Sequence, residues 1–161
     1  MSRPHGNRAG VAGQAEHPAV EWWVFDVDGC LIDSLTGSSL RPGARELVEA
    51  LGSTSQVLLW SAGGEDYARA RSEQGGLDAH VGGYFAKAGR DDDGCYQVAH
   101  LPVDPARTVF VDDRPEDLAA NLEVQPVSPY LSQDPHDHGL DVVVRRAGLE
   151  RQLRSAGRPA G

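Results

Sequence analysis

Six side chains in this sequence have types and positions suited to chemistry on an anionic group. Asp26 and Asp28 follow the apolar run Trp22–Phe25, one residue apart, with Gly29 next. Ser61 follows the run Gln56–Trp60, and Asp112 and Asp113 follow Thr108–Val111. Lys87 is the sole lysine in a chain with fourteen arginines. Several carboxylates at one place repel, and a buried one without a partner is costly. A hard divalent cation resolves this: Mg²⁺ takes one or two protein carboxylates and leaves positions for water and phosphate oxygens. One carboxylate of such a group can attack phosphorus and form an aspartyl-phosphate. A second can protonate the leaving oxygen and then activate water. A serine hydroxyl can hydrogen-bond a phosphoryl oxygen, and a lysine can neutralise the charge that develops.

These residues converge only if the right elements carry them. Trp22–Val27 is aromatic and β-branched and predicts a strand, as do Gln56–Trp60, Thr108–Val111 and Val124–Val127. Between them the spacing predicts helices. Pro42–Leu51 has Pro42 in its first turn, Ala44, Leu47, Val48 and Leu51 in helical phase, and Gly52 in a capping position. A second helix runs over about Glu65–Gln74, with a thin apolar face of Tyr67, Ala68 and Ala70, and Arg114-Pro115 opens a third. A last helix covers about His138 to Ser155. The stretch from Gly75 to Val98 is glycine-rich and reads as irregular, with Asp93-Gly94 as a hairpin turn.

Strands alternating with helices predict an α/β fold: a Rossmann-like, doubly wound, mostly parallel sheet with helices on both faces. Right-handed crossovers bring the carboxyl ends of parallel strands to one edge, where open α/β sheets bind ligands. The acids and Ser61 are therefore expected together. Residues 20–154 read as one domain, with flexible segments at 1–19 and 155–161.

With the motifs in this order, DVDGCL (Asp26–Leu31) resembles the DxDGT signature of the haloacid-dehalogenase-like phosphatases. VLLWSAGG (Val57–Gly64) resembles their second motif and VFVDDRPED (Val109–Asp117) their acidic fourth motif. The resemblance spans about Trp22 to Val127. It implies Mg²⁺-dependent hydrolysis of a phosphate monoester, with Asp26 as nucleophile and Asp28 as general acid and base. It also implies Mg²⁺ held by Asp26, Asp113 and the main-chain carbonyl of Asp28, with Asp112 assisting and Asp117 behind them. Ser61 and Lys87 would hold the phosphoryl group, with His100 the other candidate for the lysine's place. Cys30 departs from the pattern, standing where the family has threonine; it reads as a packing substitute. The intervals Asp28–Ser61 and Ser61–Lys87 are too short for an inserted cap domain. The resemblance thus implies a capless member with an open site, suited to a phosphoprotein or nucleic-acid end, or to a small phosphate ester. A receiver-like or catalytically weak phosphate-binding regulatory domain is the alternative.

Composition narrows the rest. The net charge is −9, which disfavours a broad nucleic-acid-binding surface. No apolar run approaches the length of a membrane span, and the N-terminal stretch has no apolar signal core. The expectation is a cytoplasmic protein without membrane contact, able to oligomerise. Cys30 and Cys95 are far apart and are expected as reduced thiols. His136 and His138 in DPHDHG lack nearby partners for a zinc site, and Asp91–Asp93 lacks the alternation of a calcium loop. Both read as polar loops. Arg114 is expected either to pair with the neighbouring acids or to meet an anionic substrate.

Overall fold

A computed structural model describes residues 19–156. Its centre is a five-stranded sheet built from β1 (Trp22–Asp26), β2 (Gln56–Ser61), β3 (Gly83–Ala86), β4 (Thr108–Asp112) and β5 (Val124–Pro126). The spatial order is β3-β2-β1-β4-β5, and every neighbouring pair is parallel. The chain builds outward from β1 to β3, then crosses back to lay β4 on the other side of β1. Strand order reverses between β1 and β4, and open sheets of this kind bind ligands in the crevice beyond such a reversal.

Alternation along each strand sorts side chains onto two faces. Trp23, Phe25, Val57, Leu59, Val109 and Val111 point one way. They are covered by α1 (Ala44–Gly52), through Ala44, Leu47, Val48 and Leu51, and by Ala68 of α2 (Glu65–Gly75). Val143 of α3 (Asp141–Arg146) completes this layer, and α4 (Glu150–Ala156) follows. Val24, Leu58, Trp60 and Phe110 point the other way. Full burial of a side chain such as Phe25 or Phe110 contributes about 1.5–3 kcal/mol. The doubly wound architecture is as expected, but its second face is covered differently. Irregular segments carrying Tyr96, Val98, Leu101, Val103, Leu118 and Leu122 pack there, with 3₁₀ turns at Pro105–Arg107 and Pro115–Asp117.

Four local expectations need correction. Pro42 lies in a turn ahead of α1, whose start is marked by Gly43, while Gly52 lies inside the helix rather than capping it. Arg114-Pro115 opens only the turn Pro115–Asp117, because Leu118 returns to extended backbone and is buried on the second face. The single last helix is two, since Gly148 takes a left-handed conformation (φ 70°) that closes α3. The stretch read as irregular contains β3, which pairs with Leu58–Ser61 of β2. The Asp93-Gly94 turn is present, with Arg90 and Tyr96 bridged across it. Among the described residues no helix is long and apolar enough to cross a membrane. The expected segment 1–19 lies outside the described residues except for Ala19, and the expected tail 155–161 except for its first two residues.

Candidate active site

Register places the acids side by side. Phe25 pairs with Val111, so Asp26 and Asp112, one step further, end adjacent strands on the same face. Asp113 follows at once. Carboxylate oxygens of Asp26, Asp112 and Asp113 lie within 4.8 Å of one another. The loop after β1 makes room for this approach. Gly29 adopts a left-handed φ of 76°, and a Cβ there would fall 2.6 Å from Asp113 Oδ2. Any side chain at residue 29 would meet both the strained backbone and that carboxylate.

Lys87 supplies the counter-charge. It follows β3, and its main-chain N–H donates to the Ser61 carbonyl at 2.9 Å. Strand alternation continued past Ala86 sends its side chain to the face shared by Asp26 and Asp112. Its Nζ stands 2.9 Å from Asp26 Oδ1 and 2.9 Å from Asp112 Oδ2, with only 6% of the side chain exposed. The rings of Trp60 and Tyr96 each lie 5.0 Å from Nζ, a position in which an aromatic face attracts a cation. The surface role open to a lone lysine is therefore excluded. His100 Nε2 lies 2.8 Å from the Ala86 carbonyl, which accepts from it, and the ring does not enter the acid group.

One ammonium does not balance three carboxylates. Burial, and then the Asp112 carboxylate, push the Asp26 carboxyl well above its ordinary range despite the opposing pull of Lys87. Burial likewise raises Asp112, against Lys87. Burial disfavours the Lys87 ammonium, yet Asp26 and Asp112 outweigh it and raise its pKa. A cluster of oxygen donors whose charge is under-compensated fits a hard divalent cation such as Mg²⁺.

Around this cluster stand the remaining expected residues. Ser61 is buried at the end of β2, and its Oγ accepts the N–H of Gly63 at 3.0 Å, so its own proton is free for a phosphoryl oxygen. Asp28 is half-buried, and its carboxylate is not one of the clustered three; Oδ1 accepts the Tyr67 hydroxyl at 2.6 Å. Asp117 stands further out, paired with Arg90 and Arg114 at 3.3 Å each. Arg114 therefore pairs with the neighbouring acids.

Cys30 is fully buried, its Sγ 3.8 Å from the Val111 carbonyl of β4. Burial, and then the nearby aspartates, push the thiol well up, so it is an un-ionised packing group. Its carbonyl accepts from Arg41, a buried arginine that no local feature of the sequence marks. Arg41 forms a two-pronged pair with Asp137 at 2.6 and 3.1 Å and also donates to Ser128. Asp137 belongs to DPHDHG, so that loop supplies a counter-ion. Asp91 caps its own turn by accepting the amides of Asp93 and Cys95. Tyr67 was also missed, having read as part of the thin apolar face of its helix. A cavity of about 540 Å³ between the start of α1 and the α3–α4 pair contains none of these residues.

Comparison with known proteins agrees with this geometry. The family described as NLI interacting factor-like phosphatase matches residues 22–147. No curated protein sequence matches the chain. Among solved structures, the chain is similar to a haloacid dehalogenase-like family hydrolase from Streptococcus pneumoniae. That match has a TM-score of 0.57 and 11% identity and covers 79% of this chain and 98% of the other. It is also similar to Fcp1, an essential RNA polymerase II CTD phosphatase, with a TM-score of 0.54 and 13% identity over 83% of this chain and 50% of that one. A fission yeast Fcp1 variant bound to beryllium fluoride gives a TM-score of 0.52 and 12% identity over 84% of this chain and 55% of that one. At these identities the structural likeness concerns the fold alone.

Proposed function

Because the chain belongs to the NLI interacting factor-like phosphatases, a capless haloacid-dehalogenase-like family, we propose that it hydrolyses a phosphate monoester through an aspartyl-phosphate on Asp26. The observation that carries this reading is the meeting of Asp26, Asp112, Asp113 and Lys87 at the reversal of strand order. In the first step an Asp26 oxygen attacks phosphorus, the bond to the leaving oxygen breaks, and Asp28 gives that oxygen a proton. In the second, Asp28 takes a proton from water, the water oxygen attacks phosphorus, and Asp26 is released with inorganic phosphate. Ser61 and Lys87 hold the phosphoryl oxygens and offset their growing charge. Mg²⁺ would be held by Asp26, Asp112 and Asp113, and when bound it neutralises phosphoryl charge.

The substrate proposed is a phosphate monoester on a large molecule, a phosphoprotein before a nucleic-acid end. Between Asp28 and Ser61 the described chain holds one loop, α1 and β2, and between Ser61 and Lys87 it holds α2, a 3₁₀ turn and β3. Neither interval contains a cap to enclose a small substrate. A net charge of −9 counts against a polyanionic strand, and Fcp1, a CTD phosphatase by its description, shares the fold. In a receiver-type domain the phosphoaccepting aspartate ends the third strand; here the paired DVDG acids end the first.

The test is hydrolysis of an aryl phosphate and of phosphopeptides with Mg²⁺, by the wild type and Asp26→Asn. Turnover by the wild type and a variant at background is expected. Equal rates in the two proteins would overturn the mechanism.

A further inference from the structure

The hydroxyl of Tyr67 lies 2.6 Å from Asp28 Oδ1, and no step proposed above uses it. An ionised carboxylate only accepts, so the tyrosine donates. Burial, and then Asp28 itself, raise the pKa of the hydroxyl, so it keeps its proton through the neutral range. Tyr67 sits in the first turn of α2, the helix that directly follows Ser61. The connection that places Ser61 at the phosphoryl site thus also places Tyr67 on the acid–base group. The ring is fixed on two sides. A Cβ at Gly63 would fall 2.7 Å from its Cδ1, and the Arg71 guanidinium lies 5.0 Å from its centroid. Gly37, from the loop beyond Asp28, faces the hydroxyl, and a Cβ there would lie 3.0 Å from Oη, a close approach.

We infer that Tyr67 is a positioning residue for Asp28, binding Oδ1 so that Oδ2 alone carries the proton to the leaving oxygen. The inference rests on the phosphatase mechanism proposed above. A carboxyl held in one orientation delivers its proton without first being ordered. Its help matters most where the leaving group is a poor one, because an alkoxide must be protonated as it departs and a nitrophenolate need not be. A positioning defect therefore has a signature that lost packing lacks: it grows with the basicity of the leaving group.

The experiment measures kcat/KM for a series of phosphate monoesters, from 4-nitrophenyl through phenyl to alkyl phosphate. It compares the wild type, Tyr67→Phe, Asp28→Asn and the double variant, with Asp26→Asn as the inactive reference. Tyr67→Phe is expected to slow the alkyl ester roughly tenfold more than the nitrophenyl ester. In the Asp28→Asn background it is expected to add less than about twofold, since a residue acting only through Asp28 has nothing left to act on. A packing defect would slow the Asp28→Asn protein as much as the wild type. Uniform loss on every ester, no loss, or full additivity with Asp28→Asn, in a wild type clearly faster than Asp26→Asn, overturns this inference alone. A wild type no faster than Asp26→Asn on any ester overturns the phosphatase mechanism and the inference with it.

Discussion

Two buried charge clusters flank the loop that follows β1, and Cys30 touches both elements that carry them. Its thiol faces β4, which ends in Asp112, and its carbonyl accepts from Arg41. On the Arg41 side the account is closed. One guanidinium meets one carboxylate in two hydrogen bonds, and its remaining donors reach Cys30 and Ser128. Burial disfavours the Asp137 carboxylate, but the Arg41 hydrogen bonds prevail and its pKa is lowered. On the β1–β4 side three carboxylates share one ammonium, and the pKa values of Asp26 and Asp112 are raised. Ion pairs on either side of one loop thus serve opposite ends. The closed pair ties the loop to the segment 128–139, and the open cluster keeps unmet demand for positive charge, which a bound cation would answer.

The sharpest way to break this contrast is to remove the cluster's only cation. Lys87→Met keeps the length of the side chain and deletes the charge. Loss of a group that stabilises transition-state charge costs about 10²–10³ in kcat, and that loss is expected for aryl phosphate hydrolysis with Mg²⁺ at saturation. A variant within a few-fold of wild type would mean that Lys87 only balances charge in the resting protein.

The closed pair should respond in stability instead. Asp137→Asn leaves the Arg41 guanidinium buried without its counter-ion, and breaking a buried pair on one side costs about 3 kcal/mol or somewhat more. Urea unfolding is expected to show that loss, with kcat of the folded variant little altered. Asp113→Asn, which removes one of three mutually repelling carboxylates, is expected to unfold no earlier than wild type without metal. If Asp113→Asn proves the less stable of the two, the assignment of the clusters to opposite roles fails.

Much of this division is already legible in the chain. β1, β2 and β4 are readable because each is a short apolar run stopped by a polar residue, and their parallel order makes the stops coincide. Lys87 was identifiable because it is the sole lysine, yet its strand was not. β3 is four residues long and opens on glycine, so it is held by pairing with β2 rather than by a strand pattern of its own. Arg41 and Asp137 lie 96 residues apart, and nothing local distinguishes a buried arginine from the thirteen others. Asp137 reads only as part of a polar loop, because its partner comes from elsewhere in the fold. Tyr67 was read by its ring, as one element of an apolar face, while its consequence lies in the hydroxyl. The third helix failed as an expectation for a similar reason: Leu118 is drawn to the second face of the sheet and pulls the chain out of helical backbone.

The open cluster also predicts a gain in stability from metal that the closed pair cannot share. A ligand at 100 times its Kd, binding only the folded state, stabilises by about 2.7 kcal/mol. For a domain of this size that is a rise of roughly 5–10 °C in Tm. Mg²⁺ is expected to produce such a rise in the wild type and in Asp137→Asn, and to lose most of it in Asp113→Asn. An equal rise in Asp113→Asn would place the cation away from the acids.

The smallest expected effect separates the clusters by pH. Asp33, buried after β1, is disfavoured by burial but accepts the amides of Thr36, Ser38 and Ser39, and its pKa falls to about 2. Asp137 is lowered as well. A carboxyl whose folded pKa is depressed contributes stability above its unfolded value, here near 3.8, and that contribution disappears as pH falls through the folded value. Asp26 and Asp112 have the opposite sign. Their raised pKa values mean that the folded state binds protons more tightly than the unfolded one, so stability declines as pH rises from about 3.8 through the raised values. Without metal, unfolding free energy should therefore fall on the acid limb through Asp33 and Asp137, and again on the limb leading to neutrality through the cluster. Asp26→Asn should flatten only the second limb, and so should saturating Mg²⁺, whose charge lowers the carboxyl pKa values it meets. Asp137→Asn should lessen only the first, leaving the share that Asp33 contributes. Urea titrations at a series of pH values read both limbs at once, and a variant that flattens the limb assigned to the other cluster would show that the two titrate as one.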